Sequence, residues 1–569
     1  MTKVEMMADA SEDNSVLSRF LEIIPESAAP DLLAAMAGEQ RDLEAVLLSL
    51  GEIDWRAHRD TVEDLLRTLL PVDELVPDGY ERWRPVVRDG FAFIGARLSP
   101  ERLIPKLLEQ LTLSVDAPIE DRIIAFIRRI PSLQKIGQTI ARNRDLDPAF
   151  RARLADLEDA IHEVDEAEIH DEISRQLGQL LSARQIDVEP GLYAEGSVSA
   201  LVRFVCRAPL AANAPPAGLF KVLKPFIPRY FHEDLELLGK LAEHFAANQQ
   251  NYDVGSIDLR DVLDEVKDLF VRETDFVSER NSLIAAGCRF ADIPSIRIPA
   301  PFNSLSTDTI TAMTGEPSIK VTDAFQNDPQ RRAEIARRLI AGLVSIPLFS
   351  SEESSSFHAD PHAGNLRCKA NGDVVLLDWA LTDTLTREDR RNFILLFLAL
   401  PLRDEEQMLD SLLSFSKSQT ESVRDLIKQQ IEIFIDALPL GAVPGSSNLN
   451  ELIGHLVRHG VRFSGSFLIF RKMLSTLGDV VEQLSEEVTI GATVLEQAFG
   501  RGWSDPGVES QLKPEINIPL KLGDVFHVGV TAQLFLPRVW LQSVRSVIRK
   551  TCSQTGSGYA DSERSELST

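Results

Sequence analysis

Apolar residues recur at every third or fourth position along most of this chain, which is the spacing of amphipathic helices. Val16, Phe20 and Ile24 form one such stripe near the start. The same spacing continues over the next hundred residues without any concentration of residues that carry chemistry. The pattern therefore predicts a helical N-terminal extension over residues 1–115 and a further helical segment over residues 116–175.

A different pattern occupies residues 188–225, where small, β-branched and glycine residues dominate. This composition is typical of strands joined by turns. We predict two strands connected through the turn Ala194-Glu195-Gly196-Ser197 and a third strand that carries Lys221. A lone lysine on a strand is usually an exposed edge residue, so Lys221 needs a partner before it indicates a function.

The helix that follows supplies a candidate partner for Lys221. Its apolar stripe predicts one helix over Asp258–Ala286, and Glu273 falls on that stripe. A carboxylate that faces a protein core is costly unless it is paired. We therefore predict a buried ion pair between Lys221 and Glu273. The alternative is that the stripe ends at Phe270 and Glu273 lies at a frayed edge.

Residues 357–378 contain the strongest local signal in the chain. Asn371 and Gly372 are typical of a two-residue β-hairpin turn, because both residue types tolerate positive φ. Counting outward from that turn places Asn365 opposite Asp378, with their Cβ atoms about 4.5–5.5 Å apart. An amide oxygen and a carboxylate at one end of a hairpin suit a hard cation, so we predict that both bind Mg²⁺.

Asp360 lies five residues before Asn365, which in turn lies thirteen residues before Asp378. This is the spacing of a protein-kinase-like phosphotransfer site. In such a site the first Asp handles the acceptor proton, and the Asn and the second Asp hold the metal on the nucleotide phosphates. The alternative is a polar surface hairpin that matches the motif by chance.

The composition narrows the class of protein and its partners. The 569 residues are 44% hydrophobic and 26% charged, which is ordinary for a soluble protein with a large core. The formal net charge of −27 argues against nucleic acid as a partner. The four cysteines are scattered and suit a reducing compartment. Neither a signal peptide nor an unbroken apolar span is visible, so we expect a cytoplasmic protein.

Six segments occur in a diagnostic order: KIGQ, AEGS, FKVLKP, ETDFVSERN, HADPHAGN and LLDW. With them the chain resembles the UbiB/ADCK (AarF-related) family of atypical kinases over about residues 119–400. The resemblance implies an α+β, two-lobed protein-kinase-like fold, flanked by the helical N-terminal extension and a helical C-terminal region. It also implies binding of ATP or ADP with Mg²⁺, and ATP hydrolysis or phosphorylation of a small or lipid-linked acceptor. The family supports isoprenoid-quinone and membrane-lipid metabolism.

The resemblance also assigns domains and roles. Residues 116–175 would carry the KxGQ segment, residues 176–315 the N-lobe and residues 316–500 the C-lobe. Beyond them, the residue pattern itself predicts a C-terminal helix and a disordered tail over residues 501–569. Asp360 would be the catalytic Asp, and Asn365 and Asp378 the metal ligands. The remaining residues expected at the nucleotide are Lys221, Glu273, Asp275, Ala194, Gly196, Ser197, Lys135 and Gln138. Taken alone, Lys135, Gln138 and Arg142 would form a solvated helix face, whereas the resemblance implies that this helix lies across the active site.

Three departures from the family pattern concern this site, and other functions stay open. Trp379 and Ala380 follow Asp378 where the family has Phe and Gly, Glu195 places a negative charge in the phosphate loop, and Ala363 replaces a common proline. The first alternative is a small-molecule phosphotransferase of the aminoglycoside/choline kinase type, because HADPHAGN and LLDW also resemble the motifs of that class. The second is a catalytically weak nucleotide-binding scaffold.

The sequence after Pro537 suggests contact with a membrane surface. Arg538, Arg545 and Arg549 fall on one side of a helical wheel, and Trp540 lies among the apolar residues of the opposite arc. A basic amphipathic helix with a Trp is typical of a segment that lies on an anionic bilayer. The alternative is a helix that packs its apolar face on the protein core.

Overall fold

The computed structural model describes residues 13–36, 44–76, 78–114, 117–141, 164–207, 217–254, 258–439, 446–498 and 519–533. The chain divides into two compact units. Unit 1 comprises residues 1–277 and 302–313, and unit 2 comprises residues 278–301 and 314–569. The chain thus passes between the units three times, after Val277, after Pro301 and after Met313.

Unit 1 is mainly helical. Its helices are α1 (Asp13–Ile23), α2 (Ala29–Met36), α3 (Glu44–Gly51), α4 (Arg59–Leu69), α5 (Arg84–Gly95), α6 (Pro100–Thr112), α7 (Ile119–Ile127), α8 (Pro131–Ala141), α9 (Glu166–Arg184), α10 (Phe226–Ala247) and α11 (Leu259–Thr274). One continuous core joins buried residues of the segment from Phe20 to Leu133 with those of α10 and α11. The helical extension therefore packs on the helices that follow the sheet.

The sheet of unit 1 contains β1 (Ile186–Val188), β2 (Ala194–Glu195), β3 (Ser199–Cys206), β4 (Ala217–Leu223) and β6 (Ile310–Thr314). The strands follow the order β1-β3-β4-β6, and β2 pairs with β3. The register places Lys221 of β4 opposite Leu201 of β3. The predicted hairpin through the Ala194–Ser197 turn and the third strand with Lys221 are therefore confirmed.

Helix α12 (Phe276–Arg289) spans the boundary, and its residues from 278 onward belong to unit 2. The other helices of unit 2 surround a large hydrophobic core. These are α13 (Pro329–Ile340), a π-helical turn (Ala341–Ser345), α14 (Ile346–Leu348), α15 (Arg387–Leu402), α16 (Glu405–Phe415), α17 (Glu421–Ala437), α18 (Ser446–Arg458), α19 (Gly465–Leu484), α20 (Ile490–Ala498) and α21 (Leu522–Gln533). Two small sheets complete it. The first sheet has the strand order β5-β10-β9-β7 and consists of β5 (Ile296–Arg297), β7 (Ile319–Lys320), β9 (Leu366–Cys368) and β10 (Val374–Leu376). The second sheet pairs β8 (Ser354–His358) with β11 (Thr382–Thr386).

The single helix predicted over Asp258–Ala286 is wrong. The chain forms two helices, α11 and α12, separated at Asp275, whose φ of −85° and ψ of 80° are not helical. Because Asp275 leaves the helical conformation, the apolar stripe changes direction there. Glu273 consequently lies in the last turn of α11, and Asp275 follows as an exposed capping residue.

No helix in the part of the chain that the structure describes is long and apolar enough to cross a membrane. The segment with Arg538, Trp540, Arg545 and Arg549 lies outside the described residues. The same holds for Arg142.

Gly218 of β4 provides a test of the packing of this sheet. A Cβ at Gly218 would lie 2.6 Å from the Met313 carbonyl oxygen and 2.5 Å from the Phe204 ring, and the backbone oxygen cannot easily move away. We expect Gly218→Ala to lower the free energy of unfolding by about 1–3 kcal/mol in chemical denaturation. Gly239→Ala is the control, because no atom lies within 4 Å of that Cβ on α10. It should stabilise by about 0.5–1 kcal/mol, and equal effects of the two substitutions would contradict the packing argument.

Candidate functional site

Lys135, from the KIGQ segment, is buried on helix α8. Only 3% of the residue is exposed. Its ammonium forms an ion pair with the Glu273 carboxylate, and Nζ lies 3.3 Å from Ser197 Oγ. The solvated helix face expected for Lys135 on its own is therefore wrong, because a carboxylate from α11 holds the ammonium inside unit 1. The side chain of Gln138, one turn further along α8, lies outside the described residues.

The turn after β2 is held from both sides by lysines. Lys135 contacts Ser197, and Lys224 Nζ lies 2.9 Å from Glu195 Oε1. The Lys224 side chain is only 2% exposed, and the Glu195 side chain is 12% exposed. The negative charge that departs from the family pattern is therefore matched by a buried cation. Ala194 and Gly196, the other two residues predicted here, are exposed.

Lys221 points from β4 into an apolar cluster. The residue is 8% exposed, and its Nζ lies 5.2 Å from the centroid of the Phe276 ring. Phe276 belongs to a buried group with Phe226, Phe270 and neighbouring aliphatic residues. A lysine in this position is not an exposed edge residue. The Glu273 carboxylate is engaged by Lys135. The ion pair between Lys221 and Glu273 stays a prediction.

In unit 2, the hairpin carries the predicted metal ligands in a register that differs by one residue from the expected one. Val375 faces Arg367 and Leu376 faces Leu366, so Asn365 is opposite Leu377 rather than Asp378. The reason is a three-residue loop: Lys369 N donates to Asp373 O, and Gly372 N donates to Lys369 O. Gly372, with φ +93°, is the only one of the three loop residues with positive φ. A two-residue turn would need positive φ at Asn371 as well.

The shift leaves Asn365 and Asp378 at the same end of the hairpin. Leu377 N donates to Asn365 O at 2.9 Å, and Asp378 is the next residue. Asp378 adopts φ +54°, in the left-handed region that few non-glycine residues occupy. Its Oδ1 accepts a hydrogen bond from Ala380 N at 3.2 Å. Strained residues of this kind are concentrated at functional sites.

His358 connects the segment of Asp360 with the segment of Asp378. Its Nδ1 accepts a hydrogen bond from Asp360 N at 3.2 Å, and its Nε2 lies 2.9 Å from Leu377 O. Since Nδ1 is an acceptor, Nε2 carries the proton and donates to the carbonyl. The ring is 1% exposed and lies edge-on to Trp379, with the centroids 5.0 Å apart. His358 therefore fixes the spacing between the two predicted acidic residues.

Asn365 also contacts the loop of Asp360 directly. Its Nδ2 donates to Asp360 O at 3.1 Å, which leaves the amide oxygen available as a ligand. Within the described ranges, no group of three or more His, Cys, Asp or Glu side chains is positioned to hold a metal ion. A Mg²⁺ held by Asn365 and Asp378 would thus take its other ligands from phosphates and water, as this ion commonly does. Burial raises the pKa of the nearby Cys368 thiol to about 11, so this residue is not a thiolate at neutral pH.

Sequence reasoning missed three parts of this arrangement. The Lys135–Glu273 ion pair joins residues separated by 138 positions, and no local pattern encodes such a contact. Lys224 follows Lys221 in FKVLKP, but nothing in the sequence distinguished its buried ion pair from a solvated lysine. His358 lies within the FHADPHAGN motif, where a histidine next to a buried phenylalanine was the available signal.

The comparisons with known proteins concern the fold and the family of this chain. Residues 156–412 match the family model described as the ABC1 atypical kinase-like domain. The chain therefore contains an atypical kinase-like domain, and the predicted α+β kinase-like fold is confirmed. The predicted resemblance to the UbiB/ADCK family is confirmed as well, because the relatives of this chain include proteins named UbiB and ACTIVITY OF BC1 COMPLEX KINASE.

Two relatives and one solved structure illustrate the extent of the similarity. Protein ACTIVITY OF BC1 COMPLEX KINASE 7, chloroplastic, from Arabidopsis thaliana is 24% identical over 61% of this chain and 49% of its own length. The probable protein kinase UbiB of Haemophilus ducreyi is 25% identical over 51% of this chain and 54% of its own length. The chain thus spans about half the length of these relatives. The solved Rv3197–erythromycin complex from Mycobacterium tuberculosis has a TM-score of 0.44 and 15% identity, covering 72% of this chain and 100% of that one.

A double-mutant cycle tests whether Lys135 and Glu273 depend on each other. Breaking a buried ion pair costs about 3–5 kcal/mol, because one charge remains uncompensated. We expect Lys135→Met and Glu273→Gln each to destabilise by about this amount, and the double variant to lose much less than their sum. Chemical denaturation measures all three.

The exposed pair Arg207–Asp187 is the matched control, with side chains 68% and 53% exposed. Its coupling should lie within about 0–1 kcal/mol. A parallel cycle on Lys221 and Glu273 measures the originally predicted pair. Additive losses for Lys135 and Glu273 would show that their contact does not stabilise the fold.

Proposed function

We propose that the chain binds ATP or ADP with Mg²⁺ and either hydrolyses ATP or transfers its phosphoryl group to a small or lipid-linked acceptor. The observation that carries this proposal is the His358 imidazole, which ties Asp360 to the segment of Asp378 while Asn365 binds the Asp360 carbonyl. Such an arrangement supplies a carboxylate for the acceptor proton and two oxygen ligands for the metal. Asp360, Asn365 and Asp378 are accordingly proposed as the catalytic and metal-binding residues.

In unit 1, Lys221 is proposed to contact the nucleotide phosphates. Ala194, Gly196 and Ser197 are proposed to approach them through the turn after β2, and Lys135, Gln138, Glu273 and Asp275 to border that turn. The Glu195–Lys224 ion pair supports this role, since it neutralises the carboxylate that would otherwise repel a phosphate. Support of isoprenoid-quinone or lipid metabolism is part of the proposal, on the strength of the family resemblance.

Two alternatives are distinguished by turnover. A catalytically weak scaffold would bind nucleotide without hydrolysing it, and a phosphotransferase of the aminoglycoside/choline kinase type would require a soluble amino or hydroxyl acceptor. Nucleotide hydrolysis by the purified chain, with and without Mg²⁺ and with lipid or quinone-precursor mimics, separates them. Turnover that rises with lipid or quinone mimics supports the proposed function, whereas binding without turnover supports the scaffold.

Asp378→Asn tests the metal assignment. We expect this variant to lose the Mg²⁺-dependent part of nucleotide affinity, because a neutral amide binds Mg²⁺ less well than a carboxylate. The fold should be retained, since Asn tolerates the left-handed conformation and can still accept from Ala380 N. Titration calorimetry with ADP, with and without Mg²⁺, measures the effect.

Asp373→Asn is the control on the same hairpin, since Asp373 pairs with Arg297 at 3.3 Å and is not a predicted ligand. Its nucleotide affinity should match that of the wild type. If Mg²⁺ strengthens ADP binding by the Asp378→Asn variant as much as by the wild type, Asp378 is not a ligand.

Peripheral contact with a membrane is a second proposal, and helix α21 supports it. The helix directs Asp524 and Thr531 inward, where Arg391 and Asp404 bind them, and His527 also contacts Asp404. Its outer face carries Val525, Phe526 and Val530, which are 56%, 75% and 41% exposed. A helix with polar residues inside and apolar residues outside suits an apolar environment rather than water.

Co-sedimentation with vesicles of phosphatidylcholine and phosphatidylglycerol tests this contact. We expect the wild type to sediment with the vesicles. The double variant Phe526→Asp/Val530→Asp should remain in the supernatant, because each Asp removes apolar area from the interface. Ile433→Asp is the control, since Ile433 is 49% exposed on the separate helix α17. Equal sedimentation of all three proteins would exclude α21 as the contact.

A further inference from the structure

Two histidines of unit 2 lie one turn apart at the end of helix α18. His455 belongs to the last turn of the helix, and His459 follows its final residue. Side chains four positions apart project from the same helix face, and two histidines at this spacing can share one zinc ion. The ring centroids are 6.4 Å apart, and the ring planes lie within 17° of parallel. Both residues are exposed, so the pair is accessible from solvent.

The backbone of His459 is fixed by the end of the helix. Gly460 N donates to Val457 O at 3.0 Å, and Val461 N donates to Leu456 O at 3.0 Å. With the positive φ of Gly460, +88°, these two bonds form a Schellman motif in which His459 is the C-cap residue. Leu456 and Val461 are buried in the core of unit 2. The main chain that carries the His459 ring is therefore anchored on both sides.

The hydrogen bond of the His459 ring determines which of its nitrogens can bind an ion. Nδ1 lies 2.8 Å from His455 O. A carbonyl oxygen only accepts, so Nδ1 carries the proton, and in the neutral ring Nε2 has the lone pair. Histidines that bind metals usually donate their other ring nitrogen to a backbone carbonyl or a carboxylate, which fixes the tautomer and the ring orientation. His459 is therefore oriented as a metal ligand through Nε2.

A modest rotation of the His455 side chain brings its ring to the same ion. Zn–N bonds of about 2.0–2.1 Å place the centroids of two imidazoles on one tetrahedral ion about 5 Å apart. The observed separation of 6.4 Å exceeds this value by roughly 1–1.5 Å. Because His455 is exposed, rotation about χ1 and χ2 can close this difference while His459 keeps its hydrogen bond.

The charges around the pair are compatible with a dication. The C-terminus of a helix carries a partial negative charge, and both rings lie at that end of α18. Glu451 is exposed one turn before His455, on the same face. Arg458, the adjacent cation, donates its Nε to Gly454 O at 3.3 Å, along the neighbouring face. Capping of the helix would account for His459, but it does not account for a second exposed imidazole beside it.

We propose that His455 and His459 bind one divalent transition-metal ion of the class that prefers imidazole, such as Zn²⁺ or Ni²⁺. Within the described part of the chain, no third His, Cys, Asp or Glu joins them in a group able to hold an ion, so water completes the coordination. The site goes beyond the proposed phosphotransfer function and shares no residue with it. It also selects a softer ion than the oxygen ligands proposed at Asn365 and Asp378.

Titration calorimetry measures this site in a chain prepared without a histidine tag. The background Cys288→Ser/Cys552→Ser removes two thiols that could compete for the ion, and Cys206 and Cys368 are buried. Excess Mg²⁺ in every sample occupies the oxygen ligands. We expect one Zn²⁺ or Ni²⁺ to bind per chain. Mn²⁺ should bind about tenfold or more weakly, because it forms weaker complexes with imidazole.

Three variants locate the ion. His455→Gln and His459→Gln should each weaken Zn²⁺ binding about tenfold or more, since one imidazole remains. Adding Val457→His to His455→Gln restores the number of histidines but places them two positions apart, where they do not face each other. Val457 is 42% exposed, so the fold should survive, and the affinity should stay as low as in His455→Gln. His232→Gln removes an exposed histidine of α10 and should bind Zn²⁺ as the wild type does.

Thermal unfolding without metal confirms that each variant is folded before its affinity is compared. Zn²⁺ should raise the melting temperature of the wild type and not that of either glutamine variant at the same concentration, because only the folded helix presents both rings. Asp378→Asn should bind Zn²⁺ normally, so a failure of the proposed Mg²⁺ site and a failure of this site give different results. The proposal is wrong if the wild type binds neither Zn²⁺ nor Ni²⁺, if His455→Gln or His459→Gln keeps full affinity, or if Val457→His restores it.

Discussion

Two buried lysines of unit 1 are paired with carboxylates, and the elements around the turn after β2 depend on these pairs. Lys135 binds Glu273, and Lys224 binds Glu195. These two contacts tie helix α8, the turn after β2, the end of β4 and the last turn of α11 together. An ammonium in this environment costs several kcal/mol without a partner, so separating the elements that a pair joins leaves a buried charge uncompensated. The geometry of the turn expected to approach phosphates follows from this constraint.

In unit 2 a neutral histidine has the corresponding role. His358 uses both ring nitrogens, one to accept from the Asp360 backbone and one to donate to the Leu377 carbonyl. The left-handed Asp378 lies between Leu377, whose carbonyl accepts this hydrogen bond, and the buried Trp379, whose Nε1 donates to Leu376 O. Trp379 and Ala380, which stand where the family pattern has Phe and Gly, are therefore compatible with an ordered segment, because the indole is packed against His358 and hydrogen-bonded.

The helical extension belongs to the same packing as the kinase-like helices it precedes. A single apolar core includes Phe20, Leu103 and Phe126 from the extension and Leu241 and Val266 from α10 and α11. A chain without the extension would leave a large apolar surface of α10 and α11 in water.

The sequence by itself determined the elements whose signals are local. Apolar periodicity located most helices, the Ala194–Ser197 turn located the first hairpin, and the order of the motifs indicated the resemblance to the UbiB/ADCK family. Only the tertiary structure decided the register that puts Leu377 opposite Asn365, the break at Asp275, and Glu273 as the partner of Lys135. The physical reason is that turn length, helix continuation and ion-pair choice are set by competing arrangements of similar local free energy. Contacts between residues far apart in the chain select among them, as the burial of Lys135 against Glu273 does.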